Sequence, residues 1–152
     1  MIAVSNPRLL VVDDNPDDRD LMQRRLGKLD YDVAVAVDGR QALAMVARDS
    51  FDLVLLDVTM PGINGLDVLR HLRRTHSAAI LPVIMLTGLN HLEIQMKAVR
   101  LGANDHITKP VMIEVAQARI EKQLCFRQEA VDAAAAREEL AKAESGPLTL
   151  VA

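Results

Sequence analysis

The chain has no tryptophan and only three other aromatic residues, Tyr31, Phe51 and Phe126, among 152 residues. A core built on stacked rings is excluded, so the interior must be assembled from Val, Leu, Ile, Ala and Met. A single cysteine, Cys125, rules out an intramolecular disulfide and suits a reducing compartment. Cationic residues are in the minority: 18 Lys and Arg stand against 21 Asp and Glu, for a formal net charge of −3. That balance argues against a nucleic-acid partner, which would call for a basic stripe. No apolar run approaches the roughly 18 residues of a membrane span, and "MIAVSNPR" lacks the basic and then apolar layout of a signal peptide. A cytoplasmic protein with no membrane partner is the expectation. What is present is ample apolar material, 50% of residues with 26% charged, enough for one domain and a small appendage.

Short apolar runs alternate with helical patterns along the chain. "RLLVVD" (8–13), "DVAVAV" (32–37), "FDLVLLD" (51–57), "LPVIMLTG" (81–88) and "DHITKP" (105–110) read as strands. Residues 15–29 begin with Asn15 as cap, Pro16 in the first helical position and acids in the first turn, followed by apolar residues at helical spacing. Further helices are expected over 38–50, within 58–74, over 89–103, and from Val111 to near Ser145. The strands are apolar throughout, as when helices cover both faces of a parallel sheet. A doubly wound α/β domain with right-handed crossovers follows. The last helix outruns what one sheet needs, with Ile113, Ile120, Leu124 and Val131 as its main apolar residues. Arg127 and Glu138 interrupt any coiled-coil seam along it. Residues 130–144 read as an exposed helical extension with a Glu138–Lys142 pair, and 145–152 as a frayed tail.

In an open parallel sheet the ligand site lies at the carboxyl ends of the strands. Strand one ends in Asp13 and Asp14, strand three in Asp57, strand four in Thr87 and Gly88, and strand five in Thr108 and Lys109. Three carboxylates in a small volume raise one another's pKa unless a cation relieves them. Mg²⁺, with Mn²⁺ as the alternative, needs few carboxylates and leaves room for a phosphoryl oxygen; no calcium-loop pattern is present. With a lysine and a hydroxyl added, the set describes an electrostatic clamp for a phosphoryl group, and central Asp57 is the best-placed nucleophile.

The segments "VVDDNPDDR", "LVLLDVTMPGINGLDVLR", "VIMLTG" and "ITKP" resemble the four signatures of response-regulator receiver domains of two-component signalling, over roughly residues 7–125. The resemblance implies a flavodoxin-like five-stranded sheet in the order 2-1-3-4-5. It implies that Asp57 accepts a phosphoryl group from a histidine kinase. Asp13, Asp14, Asp57 and the backbone carbonyl of Thr59 would hold Mg²⁺, while Thr87, Gly88 and Lys109 would bind the phosphoryl group. Thr87 and residue 106 would form the switch. Residue 106 is commonly Tyr or Phe in the family; here it is His106, so weaker or pH-sensitive switching is expected. A cis bond before Pro110 and a homodimer through the last strand and its flanking helices belong to the same expectation.

Plainer readings apply elsewhere. Asp17 and Asp18 read as first-turn acids that complement the helix dipole and do not touch the metal. Thr59 and Leu89 would line the pocket mouth, with Thr59 tuning phosphate lifetime. "MPGING" (60–65) is also a plain turn signal. His71, His76 and His91 read as solvated, Met22, Met45, Met85, Met96 and Met112 as core filler, and Cys125 as inert or at an interface.

The chain divides into a receiver over 1–125 and an extension and tail over 126–152. A docking regulator, or the N-terminal piece of a larger protein that carries an output domain, is expected; the second is favoured. The competing readings are an aspartyl-phosphate phosphatase and an unphosphorylated interaction module. The first wants an acid at position 59, which is Thr, and the complete acid–Thr–Lys set counts against the second. No glycine-rich nucleotide loop follows strand one.

Overall fold

The computed structural model describes residues 5–88 and 92–145. Strands and helices alternate as β1 (Arg8–Val12), α1 (Pro16–Gly27), β2 (Asp32–Ala36), α2 (Gly39–Arg48), β3 (Leu53–Asp57), α3 (Gly65–Leu72), β4 (Val83–Thr87), α4 (Leu92–Arg100), β5 (Asp105–Thr108) and α5 (Ile113–Ser145). The strands form one parallel sheet in the order β2-β1-β3-β4-β5, as the resemblance implied.

The central strands carry the core on both faces, because successive side chains of a strand point to opposite sides. Leu10, Val12, Val54, Leu56, Val83 and Met85 pack under α2, α3 and α4. Leu9, Val11, Leu53, Leu55, Ile84 and Leu86 pack under α1 and α5. Full burial holds for the inner strands only: β2 and β5, at the edges, are half-buried along most of their length. An edge strand has a neighbour on one side alone, so an apolar run in the sequence overstates its burial.

Helix starts follow the expected chemistry. The Asn15 side chain accepts from the backbone N–H groups of Asp17 and Asp18, Asp38 caps α2 through the N–H of Gln41, and Asn64 caps α3 through that of Asp67. Such caps let the chain turn from strand into helix within a few residues, which places the last residues of β1 and β3 on one edge of the sheet.

Two methionines depart from the core reading. Met22 and Met85 are buried and Met45 packs against the core, but Met96 and Met112 are exposed. Met96 is left out by the shallow seating of α4, whose one buried residue is Ala98; Leu92 and Val99 are likewise uncovered, and Met112 stands just before α5. His76 is half-buried rather than solvated, with Nδ1 2.8 Å from the Thr75 hydroxyl. Leu89, His91 and residues 146–152 lie outside the described residues.

Arg73, at the end of α3, is a structural centre that no sequence pattern announced. It donates to the carbonyls of Gly102 (2.9 Å), His76 (3.2 Å) and Leu81 (2.9 Å) and to Asn104 Oδ1 (3.0 Å). Burial alone lowers its pKa to about 10. Asn104 extends the link, accepting from the Val83 N–H at 2.9 Å and donating to the Ala78 carbonyl at 2.9 Å.

α5 runs unbroken through residue 125, where the sequence reading divides receiver from extension. It buries Ala116, Ile120 and Gln123, and from residue 132 to 145 every residue is exposed. The Glu138–Lys142 pair forms at 3.9 Å with both side chains largely in solvent, so it adds little to stability. Among the described residues, no helix is long and apolar enough to cross a membrane.

Candidate functional site

β1 and β3 are neighbours in the sheet, and Val12 pairs with Leu56. The residues just beyond this pair, Asp13 and Asp57, therefore stand side by side. Both are buried, while Asp14 is exposed at the rim. One carboxylate oxygen from each of the three lies within 4.8 Å of the others. Lys109, just past β5, spans the gap from the far side: Nζ donates to Asp57 Oδ2 at 2.9 Å and to Asp13 Oδ2 at 3.2 Å. The Lys109–Pro110 bond is cis, as expected.

The remaining carboxylate oxygens are held by backbone. Asp13 Oδ1 accepts from the Asn15 N–H at 2.9 Å, and Asp57 Oδ1 from the Thr59 N–H at 3.1 Å. Arg19 Nη1 binds the Asp13 carbonyl at 2.9 Å. Thr87 ends β4 beside Asp57 and is buried, yet its hydroxyl has no hydrogen-bond partner. An orphaned buried hydroxyl costs free energy, which a ligand oxygen would recover. Gly88 follows it, half-buried.

The electrostatics are unbalanced. Burial raises the pKa of Asp57, the bond and charge of Lys109 pull it down, Asp13 pushes it up again, and the outcome lies above the ordinary carboxylate value. Burial lowers the pKa of Lys109, but the bonds and charges of Asp57 and Asp13 outweigh it, and the ammonium is held charged. Three carboxylates against one ammonium leave two negative charges in excess, which a divalent cation would offset. Three carboxylate oxygens within 4.8 Å of one another are the kind of donor set a hard divalent ion would take.

Asp18 has a contact beyond its reading as a first-turn acid. It does lie in the first turn of α1, but its Oδ2 is also 3.9 Å from Lys109 Nζ. It joins the site's charge balance at the mouth of a cleft of about 370 Å³ lined by Leu21, Met22, Arg25, Lys109 and Val111. Gly65 is a second residue whose place in the site was missed. Its N–H donates to the Val58 carbonyl at 2.9 Å, and a Cβ at this position would collide with the Asp57 carbonyl oxygen and lie 2.8 Å from Val58 Cα. A turn motif was legible there; the close backbone approach was not. His106 is not part of the pocket. It sits half-buried on β5 between the exposed apolar residues of α4 (Leu92, Met96, Val99) and those at the start of α5 (Met112, Val115).

The family model for the response regulator receiver domain matches residues 9–121. The chain belongs to the response regulator receiver family. Among curated relatives it is 37% identical over 145 residues to the DNA-binding dual master transcriptional regulator RpaA of Synechocystis, an alignment covering 95% of this chain and 59% of that one. It is 38% identical over 120 residues to the response regulator PleD of Caulobacter vibrioides, covering 79% of this chain and 26% of PleD. The chain thus spans well under two thirds of these relatives. Among solved structures, a CheY-like receiver domain protein from Methanospirillum hungatei superposes with a TM-score of 0.78 at 27% identity, covering 83% of this chain and 99% of that one. A response regulator/GGDEF domain protein gives 0.77 at 30% identity, covering 82% and 51%. The receiver is a signalling domain of two-component systems, and the acidic cluster of this chain fits the phosphoacceptor site of its family.

Proposed function

We propose that Asp57 is the phosphoacceptor and that the chain takes a phosphoryl group from a histidine kinase. The observation that carries this is the buried Asp57 carboxylate bridged to Asp13 by Lys109, with an unpartnered buried hydroxyl, Thr87, at the neighbouring strand end. The Asp57 carboxylate attacks phosphorus, the phosphorus–nitrogen bond to the donor histidine breaks, and the imidazole leaves with that electron pair and takes up a proton. Lys109 transfers its hydrogen bond from the carboxylate to a phosphoryl oxygen, and Thr87 donates its free hydroxyl to another. The carboxylates of Asp13, Asp14 and Asp57 and the Thr59 backbone carbonyl would hold Mg²⁺ or Mn²⁺. When bound, the ion supplies the positive charge that lets an anionic donor approach an acidic pocket.

The domain would turn over only its own phosphate, with Thr59 at the pocket mouth positioned to tune that rate and Gly88 leaving room for the phosphoryl oxygens. The cleft beside Lys109 is where a kinase would seat its histidine. His106 and the exposed apolar residues of α4 and α5 form the surface that a docking protein, an output domain or a second copy would cover.

The acceptor is identified by peptide mapping. The protein is incubated with a small acyl phosphate and Mg²⁺, reduced with borohydride and digested. Homoserine is expected at position 57; homoserine at 13 or 14 instead would overturn the assignment. Lys109→Ala is expected to slow phosphate uptake about 100-fold by removing the ammonium that meets the transferring group. An uptake rate equal to wild type would remove Lys109 from the mechanism.

A further inference from the structure

α5 leaves the sheet at the edge opposite Asp57, and one side chain marks the departure. Arg127 Nε donates to the Ile80 carbonyl at 2.8 Å, and its Nη1 meets Asp52 Oδ1 at 3.0 Å. Asp52 is anchored in turn: its Oδ2 accepts from the Arg8 N–H at 2.7 Å, and its own N–H donates to the Arg8 carbonyl at 2.8 Å. Asp52 immediately precedes β3, Ile80 lies just before β4, and Arg8 opens β1. A single planar guanidinium therefore joins α5 to the roots of the two strands whose far ends carry Asp57 and Thr87. Its fork geometry suits a simultaneous bond to a carboxylate and a carbonyl, which a lysine could not reproduce.

The contact differs in kind from the other ion pair of the extension. The Arg127 and Asp52 side chains are 22% and 30% exposed, against 76% and 72% for Lys142 and Glu138. Partial burial protects the first pair from screening and leaves the second nearly without effect. Beyond Arg127 the described residues of the extension hold nothing comparable. From residue 132 to 145 every side chain is exposed, and an isolated helix of that length is marginal by itself.

We infer that Arg127 is a clasp that sets the direction in which the α5 extension leaves the receiver and couples that extension to β3 and β4. The coupling half rests on the phosphoacceptor reading above; the clasp half does not. β3 and β4 are five-residue strands, buried at every position. A close-packed strand of that length moves as a unit, so a shift at Asp57 or Thr87 reaches Asp52 and Ile80. Arg127 then passes it to the extension, and with it to whatever the extension carries.

Amide hydrogen exchange on the full chain, read by mass spectrometry, tests both halves. Arg127→Gln is expected to speed exchange of the amides around residues 124–134 about three- to ten-fold, the effect of losing a charge-assisted bond and its carbonyl partner. Asp52→Asn, which weakens the same contact from the other side, is expected to act in the same direction. Arg137→Gln, at an exposed position of the same helix, is expected to change nothing. Arg127→Gln with wild-type exchange would overturn the clasp. With phosphate uptake verified on the intact mass, wild type is expected to change exchange over 124–134 by at least about twofold, and Arg127→Gln to show no further change. Phosphorylated wild type with unchanged exchange would overturn the coupling. A chain that takes up no phosphate would overturn the phosphoacceptor reading and the coupling with it, while the unphosphorylated comparison still decides the clasp.

Discussion

Gly65→Ala is expected to lower the melting temperature by roughly 6–12 °C and to slow phosphate uptake at least about 10-fold, measured well below the transition. The collision is with backbone, not with the end of a flexible side chain. The new methyl would strike the Asp57 carbonyl oxygen and stand 2.8 Å from Val58 Cα and 2.9 Å from the Asp57 carbonyl carbon. Relief requires α3 to back away from β3 or the end of β3 to shift. The first breaks the Gly65–Val58 hydrogen bond and unseats Val68 and Leu69 from the core; the second moves Asp57, the proposed acceptor. A cost of about 3 kcal/mol is of the size found for overpacking in a tight interior. Gly27→Ala is the control, since a Cβ there meets nothing within 4 Å. It is expected to be neutral or slightly stabilising. Equal melting temperatures for the two variants would refute the close approach.

Arg73→Ala is expected to cost about 3–4 kcal/mol, seen as a fall in melting temperature of roughly 8–15 °C with the phosphorylation site left chemically intact. Arg73 satisfies three backbone carbonyls and the Asn104 side-chain oxygen at once. Its removal leaves part-buried acceptors without donors, each worth about 1–3 kcal/mol when unmet. Part of that loss is offset, because burial works against the guanidinium, as its lowered pKa of about 10 records. Arg73→Lys separates charge from geometry. One ammonium cannot reach carbonyls on the α3–β4 connection, at the end of α4 and before β5 together, so most of the loss is expected to remain. A lysine variant as stable as wild type would mean that charge alone matters at this position.

These two residues show where the sequence was legible and where it was not. The strand-end acids could be read because β1 and β3 are apolar runs that stop at Asp13 and Asp57, and a parallel sheet fixes which ends meet. The capped helix start at Asn15 was legible for a similar reason, since a cap is chemistry local to a few residues. Gly65 and Arg73 act through contacts that exist only after distant segments meet. Gly65 touches β3 across a loop, and Arg73 bonds residues up to 31 positions away. Periodicity carries no record of such contacts. Asp18 was legible as a first-turn acid of α1, but its approach to Lys109 depends on where β5 ends and was not. Met96 and Met112 were assigned to the core because apolar character does not say which apolar face stays uncovered.

The most direct test of the central claim is the intact mass of the protein after incubation with Mg²⁺ and a small acyl phosphate. The wild-type chain is expected to gain the mass of one phosphoryl group, and to gain none when the metal is chelated or when Asp57 is replaced by Asn. An Asp57→Asn chain that gains the same mass at the wild-type rate would contradict the account.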